Sequence, residues 1–262
     1  MLELNFSNMM QEVIGEKGLS EKQIEGLKTK VYDIDKRIKA KETPELAFIG
    51  LLEQDTAEIK KIASDVRKKF ENFLILGIGG SALGPRAILE ALSPFHNLDK
   101  KPKVFVYDNV DPRTLQRILS LTDLKKTAVN AITKSGSTAE TMASFMILWD
   151  KMNSAVSDSA KNFIATTDPE KGSLRKIADE KGFKTLSIPQ GVVGRYSVLS
   201  PVGLLLAEVI GVDSGEMLKG ARDIHSKCSN AEIWKNPAYL FGTLLYLMER
   251  EEKRNINVLI PY

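Results

Sequence analysis

The sequence predicts an α/β fold in three layers: a five-stranded parallel sheet between two layers of helices, with helical additions at the amino and carboxyl ends. Three observations carry this reading. Five short apolar runs alternate with amphipathic segments between residues 73 and 188. Parallel strands joined by helical crossovers produce that alternation, and strands covered on both faces read as nearly continuous apolar runs. The first 70 residues and those from about 201 onward are helical in pattern instead, and a length of 262 residues, 43% of them hydrophobic, is ample for a buried core. The expected divisions are a helical segment over 1–70 packing on the sheet, a sheet domain over 71–210, and a helical extension over 211–262 that ends in a strand.

Helix-start signals recur in the amino-terminal part. Ser20 with Gln23 and Asp55 with Glu58 have capping-box spacing, and Thr43-Pro44 sets a cap before a first-turn proline. Ile59, Ile62, Val66 and Phe70 repeat at three to four residues, which puts one apolar stripe on a helix over about 54–69. That stripe is expected to face the sheet.

The predicted strands are residues 73–78, 104–107, 128–133, 163–166 and 185–188. Between them the helices have start signals at Asp111-Pro112, at Ser137 with Glu140, and at Asp168-Pro169. Open sheets of this kind bind ligands outside the carboxyl ends of their strands, so the chemistry belongs in the loops that follow them. Beyond Pro201 the pattern gives helices over about 218–229 and 237–251, then a run at 255–260 that reads as another strand before Pro261 and Tyr262.

Composition excludes several classes. The net charge of +3 reflects 37 basic against 34 acidic residues, which gives no nucleic-acid footprint. A single cysteine, Cys228, leaves no intramolecular disulfide framework or multi-cysteine metal site and fits a reducing compartment. Met1 and Leu2 open neither a basic nor an apolar leader, and the longest apolar stretch, 202–210 with Glu208 inside it, is far shorter than the roughly 20 residues of a membrane span. A soluble cytoplasmic protein without nucleic-acid or membrane partners is expected.

Three loops hold groups suited to chemistry. Gly77-Ile78-Gly79-Gly80-Ser81-Ala82-Leu83-Gly84-Pro85 follows the first strand and opens a helix. Glycines let backbone amides approach an anion, Ser81 adds a hydroxyl, and a helix start adds partial positive charge. The same residues also match G-x-G-x-x-A with Asp108 as a ribose acceptor, the mark of a dinucleotide site, or they form a tight turn that simply needs glycine. After the third strand, Thr133-Lys134-Ser135-Gly136-Ser137-Thr138 surrounds a second helix start with four hydroxyls and one ammonium. A phosphate monoester is gripped by such a set, and a dinucleotide fold does not require it. A capping box of Ser137 with Glu140 accounts for two of these side chains and leaves Ser135 and Thr138 unexplained. The third loop runs Gly191 to Gly203 with Arg195 at its centre. Its guanidinium is a permanent cation that either faces an oxyanion or bridges loop carbonyls or an acid, and the residues alone leave both open.

Gly77 to Pro85, Thr133 to Thr141 and Gly194 to Gly203, in this order, resemble the glucose-6-phosphate isomerase family across nearly the whole chain. The resemblance implies a sugar-isomerase (SIS) type domain, doubly wound and flavodoxin-like, of which the family carries two. It also implies interconversion of glucose 6-phosphate and fructose 6-phosphate by a homodimer with no metal or organic cofactor. Carried over residue by residue, it places Gly80 and Ser81 beside the sugar and phosphate, and Thr133, Lys134, Ser135, Ser137 and Thr138 around the phosphate. Arg195 matches the catalytic arginine that stabilises the cis-enediol(ate), and Glu140 matches an acid that supports the family's catalytic histidine.

Two departures stand out. The family has a glycine pair before the arginine, and here the first of the pair is Val193, whose β-branch disfavours positive φ. The family's base, its histidine and lysine, and its carboxyl-terminal signature all lie beyond Tyr262, and neither His96 nor His225 has a matching context. These histidines are expected in surface or locally hydrogen-bonded roles, and Asp108, Asp111 and Asp168 in turns and caps. The 255–260 strand is then expected to begin a second SIS domain, and the chain to bind sugar phosphate weakly with little isomerase activity of its own. A stand-alone sugar-phosphate-binding module and a Rossmann dehydrogenase are the competing readings.

Overall fold

The computed structural model describes residues 3–260; Met1 and Leu2 of the leader reading, and Pro261 and Tyr262 after the predicted last strand, lie outside the described residues. Three short helices, α1 (Gln11–Ile14), α2 (Glu21–Glu25) and α3 (Lys28–Lys39), precede a 3-10 stretch, Pro44–Glu53, and α4 (Ala57–Lys69). The predicted alternation follows: β1 (Asn72–Leu76), α5 (Gly80–Leu92), α6 (His96–Asp99), β2 (Lys103–Tyr107), α7 (Pro112–Leu121), β3 (Thr127–Thr133), α8 (Ala139–Ala155), β4 (Phe163–Thr167), α9 (Ser173–Lys181) and β5 (Lys184–Ser187). The last helices are α10 (Pro201–Val209), α11 (Ser214–Lys227) and α12 (Pro237–Arg250).

All five strands pair in parallel in the order β2-β1-β3-β4-β5, with Phe73 opposite both Val104 and Ala128 and Ala131 opposite Ala165. This is the flavodoxin-like doubly wound order. Side chains of β1 alternate between two cores. Phe73 and Ile75 join Ile59, Ile62, Val66, Ile88 and the apolar residues of α10, while Leu74 and Leu76 join Leu115, Ile118, Phe145, Leu148, Leu174 and Ala178. Helices α4, α5 and α10 therefore cover one face and α7, α8 and α9 the other. Each fully buried side chain of Leu or Ile size contributes about 1.5–3 kcal/mol, so this two-sided burial fixes the register of β1.

Several start signals work as their spacing suggests. The Ser20–Gln23 box closes in both directions, at 3.4 and 2.7 Å, and Asp111 caps α7 by accepting from the amides of Arg113 and Thr114, each at 3.1 Å. Others differ. Thr56 is the cap residue of α4, and Asp55 accepts from Ala57 N at 2.9 Å without a reciprocal bond from Glu58. Asp168 accepts from the amides of Glu170 and Lys171, both at 2.9 Å, and so closes a turn, with α9 starting only at Ser173.

Contacts divide the chain into two units, one comprising Glu45–Leu218 and the other the residues up to Pro44 with those from Lys219 onward. The boundaries at 70 and 210 are thus corrected to 45 and 218, because Leu51, Ile59, Ile62, Val66 and Leu218 all lie in the core of the sheet unit. The second unit has its own core of Met10, Leu19, Ile24, Val31, Ile233, Leu240, Leu244 and Leu247. The expected strand at 255–260 is absent: these residues are exposed and carry no regular structure. A strand exists only with a ladder partner, and none of the described residues pairs with this segment.

Candidate functional site

In the order 2-1-3-4-5 the chain leaves β1 outward to β2 and returns to β3 on the other side, so the helices after β1 and β3 lie on opposite faces. The crevice at the carboxyl ends of those two strands is the switch point where such sheets bind ligands. Both predicted cradles open there. Neither α5, capped by Gly79, nor α8, capped by Thr138, has its first-turn amides satisfied by a side chain of its cap residue. In α5 the amides of Ser81 and Ala82 bond back to Ile78 O and Gly79 O, at 3.2 and 3.0 Å, so of the two helix starts that of α8 is the one that favours an anion.

The hydroxyls after β3 gather as a cluster. Thr133 Oγ1 lies 2.9 Å from Thr138 Oγ1 and 3.4 Å from Ser135 Oγ, and Ser135 Oγ lies 3.5 Å from Thr138 Oγ1. Ser137 donates both its amide, at 3.2 Å, and its hydroxyl, at 3.3 Å, to Ser135 Oγ. The Ser137–Glu140 capping box is therefore not formed, which corrects the sequence reading. Gly136, at φ 67°, turns the chain so that the helix begins at Ala139, and Ser137 bonds backward to Ser135 rather than forward to Glu140 N. Glu140 stands exposed on the first turn of α8.

The loop is braced from β4. A Cβ on Gly136 would come within 2.8 Å of Gly172 Cα, and Leu174 N donates to Gly136 O at 3.1 Å. In the same bracing loop the Asp168 carboxyl is held below its usual range, first by the amides of Glu170 and Lys171 and then by the charges of Lys171 and Lys134. Lys134, half-buried, is thus near enough to Asp168 for their charges to interact.

The arginine loop is docked on the first cradle. A Cβ on Gly80 would lie 2.0 Å from Gly194 O and 2.8 Å from Arg195 N, so the backbone of α5 touches the peptide that presents Arg195. Ser197 donates its hydroxyl to Gly194 O at 2.7 Å, Ser200 donates to Ser197 O at 2.7 Å, and the Gln54 amide donates to Leu199 O at 2.5 Å. Arg195 is exposed, with its guanidinium 5.7 Å from the centre of the Tyr196 ring, which leans on Phe48 at 5.2 Å. Among the described residues no carboxylate pairs with it. Val193 sits at φ −84° and ψ 154°, ordinary extended backbone that suits a β-branched residue, so the loss of a glycine there leaves the loop unstrained. Ser81, half-buried, follows Gly80 in the first turn of α5.

The remaining candidates fall outside the crevice chemistry. His96 is buried with Nδ1 at 3.3 Å from Ser93 Oγ and Nε2 at 3.0 Å from Pro102 O, a local structural pair. His225 is exposed on α11. Asp108 pairs with Arg86 at 2.9 Å, tying α5 to the end of β2 in place of a ribose contact. Sequence reasoning missed Gln54, Gly172 and Phe48, which reach the site from distant parts of the sheet unit and carry no local motif. Among the described residues no helix is long and apolar enough to cross a membrane.

The phosphoglucose isomerase family model matches residues 55–262. A glucose-6-phosphate isomerase of Carboxydothermus hydrogenoformans is 40% identical over 272 residues, covering 100% of this chain and 58% of its own. A probable glucose-6-phosphate isomerase of Haloquadratum walsbyi is 35% identical over 249 residues, covering 94% of this chain and 56% of its own. A crystal structure of a hypothetical protein from Thermus thermophilus superposes with a TM-score of 0.74 at 30% identity, over 88% of this chain and 54% of that one. The chain thus spans somewhat over half the length of the curated relatives it matches. With a family match over the whole sheet and its three site loops, the chain belongs to the phosphoglucose isomerase family.

Proposed function

We propose that this chain supplies the sugar-phosphate grip and the electrophilic arginine of an aldose–ketose isomerase that interconverts glucose 6-phosphate and fructose 6-phosphate. The observation that carries the reading is the hydroxyl cluster of Thr133, Ser135, Ser137 and Thr138 on the uncapped start of α8, at the switch point of the sheet. The phosphate takes these hydroxyls, the free amides of the first turn and the Lys134 charge, while Gly80 and Ser81 line the sugar side. Arg195, rigidly presented and unpaired with any acid among the described residues, stabilises the oxyanion as a proton moves between C2 and C1 through a cis-enediol(ate). Glu140 is the supporting acid. The step moves a proton between adjacent carbons with no net oxidation, so the chemistry calls for no redox cofactor. A cytoplasmic setting and a homodimeric whole enzyme belong to the same proposal, supported by the single cysteine and by the family resemblance.

A general base must come within about 3 Å of its proton, and His96 is already engaged on both ring nitrogens. This supports a narrower second reading, in which the chain by itself binds sugar phosphate and turns it over little. Calorimetric titration with glucose 6-phosphate and with glucose tests both. Binding that requires the phosphate and falls at least about tenfold in the double variant S135A/T138V is expected, since hydrogen bonds to a charged group contribute about 1.5–3 kcal/mol each. Tight binding of a nicotinamide cofactor that sugar phosphate does not displace would overturn the isomerase reading, and robust isomerisation by the chain alone would overturn the narrower one.

A further inference from the structure

Arg175, in the first turn of α9, is only 8% exposed. A guanidinium is costly to bury unless its N–H groups are bonded. Its carboxylate partner Asp179 lies one turn along the helix at 3.3 Å with a side chain 62% exposed, and ion pairs open to solvent contribute little. The inner bond is the one that accounts for the buried side chain: Nε donates to Asp168 O at 3.0 Å. Asp168 directly follows β4, and its carboxylate accepts from the amides of Glu170 and Lys171. The β4–α9 turn is therefore closed from the strand side by Asp168 and from the helix side by Arg175.

That turn receives the carbonyls of the loop after β3. Thr133 O accepts from Thr167 Oγ1 at 2.7 Å, and Gly136 O accepts from Leu174 N at 3.1 Å. Ser135 O lies so close to Gly172 that a Cβ there would come within 2.5 Å of it, and Gly172 stands at φ 99°, where a side chain would also be strained. In a planar trans peptide the C=O and the N–H point in opposite directions. With its oxygen on α9, the Gly136–Ser137 peptide turns the Ser137 N–H the other way, where it meets Ser135 Oγ at 3.2 Å in the hydroxyl cluster. The loop is thus sorted by polarity, with three carbonyls toward β4 and α9 and the Ser137 amide on the side of the hydroxyls. An anion is repelled by carbonyl oxygens and held by N–H and O–H donors, so a phosphate cradle needs this sorting.

We propose that Arg175 is a positioning residue for the phosphate cradle: by holding Asp168 O it fixes the β4–α9 turn against Ser135 and Gly136, and so keeps the Gly136 carbonyl on Leu174 N and the Ser137 N–H toward the anion. Arg175 acts through the turn and does not itself contact the ligand. This inference rests on the phosphate reading of the α8 cradle. It assigns part of the grip to residues 168–175, which lie outside the three loops that carry the site motifs.

The test combines calorimetric titration with inorganic phosphate and with glucose 6-phosphate and residue-resolved amide hydrogen exchange, on the full chain as wild type, R175M and D179A. Methionine keeps the length and the apolar stem and removes the Nε donor. R175M is expected to bind both probes about tenfold more weakly, the scale of one hydrogen bond to a charged group. In the same variant the Leu174 amide is expected to lose protection while those of β1 and β3 keep theirs, a local change that general destabilisation does not produce. D179A removes only the outer ion pair and is expected to bind within about twofold of wild type. Affinity or Leu174 protection unchanged in R175M, or equal losses of affinity in R175M and D179A, overturns the proposal and leaves the phosphate reading standing. So does an R175M chain that fails to fold or loses protection throughout the strands, because Arg175 would then serve the sheet unit as a whole. The wild type gives an independent check: a Leu174 amide that exchanges as fast as those of the exposed residues 255–260 would mean that the brace does not form, and overturns the inference whatever the variants do. Wild type that binds neither probe overturns the phosphate reading itself and this inference with it.

Discussion

At Gly80 the margin between the two halves of the crevice is smaller than one methyl group. A Cβ there would lie 2.0 Å from Gly194 O, backbone against backbone, with no flexible side chain to yield. Gly80→Ala is expected to push the arginine loop off α5, destabilise the sheet unit by about 1–3 kcal/mol as overpacking does, and weaken sugar-phosphate binding; thermal unfolding with titration of glucose 6-phosphate measures both. Unchanged stability and binding would show that the loop can shift freely. Residue types were informative where chemistry needs a type: glycines for close backbone approach, a run of hydroxyls for an anion, an arginine in a tight turn. They were not informative about pairing. Ser137 and Glu140 have the spacing of a cap and do not form one, since the positive φ of Gly136 redirects Ser137 toward Ser135.

Strands and helices were legible to within a residue or two wherever the hydrophobic period was clear, because burial on two faces leaves little choice of register. The starts of α4, α9 and α11 were less so: Asp55 and Asp168 satisfy amides in turns before their helices begin, and α11 starts at Ser214, four residues ahead of the predicted 218. One feature at this scale had no sequence signal. Glu71, just before β1, accepts from Lys101 at 2.6 Å, before β2, and from Lys126 at 2.7 Å, before β3, so one carboxylate bridges the amino ends of three adjacent strands. Its pKa falls from 4.5 to about 2, through Lys101 first and Lys126 second. A depressed carboxylate contributes stability above its unfolded pKa and loses it as pH falls through the folded value. The stability difference between wild type and Glu71→Gln is therefore expected to be largest above about pH 5, to shrink below pH 4.5, and to vanish near pH 2. The site is exposed, so the effect is small and weakened by salt. Denaturant titrations at several pH values check it, and a difference that grows toward low pH would contradict the assignment.

For the whole molecule, the three-layer α/β architecture and the family were both readable, the first from the alternation of elements and the second from three ordered loops. The division into units was not. Helical periodicity shows that a stripe is buried but not in which core, so α4 was grouped with residues now seen to share a core with α12. The segment 255–260 shows the same limit from the other side. Its strand-like composition is real, yet Ile256 is 83% exposed and Leu259 is 89% exposed with no ladder beside them. Such a stretch is a hazard in solution: six uncharged residues, three of them β-branched, with unmatched amides and carbonyls, form a template on which further copies of the same stretch can stack. Lys253 and Arg254, just ahead of it, are the charges nearest in sequence and the ones placed to repel such stacking. Light scattering is expected to show concentration-dependent association of the purified chain, increasing as salt screens those two charges and suppressed by Val258→Lys. A chain that stays monodisperse at high concentration and high salt would mean that the exposed tail is harmless.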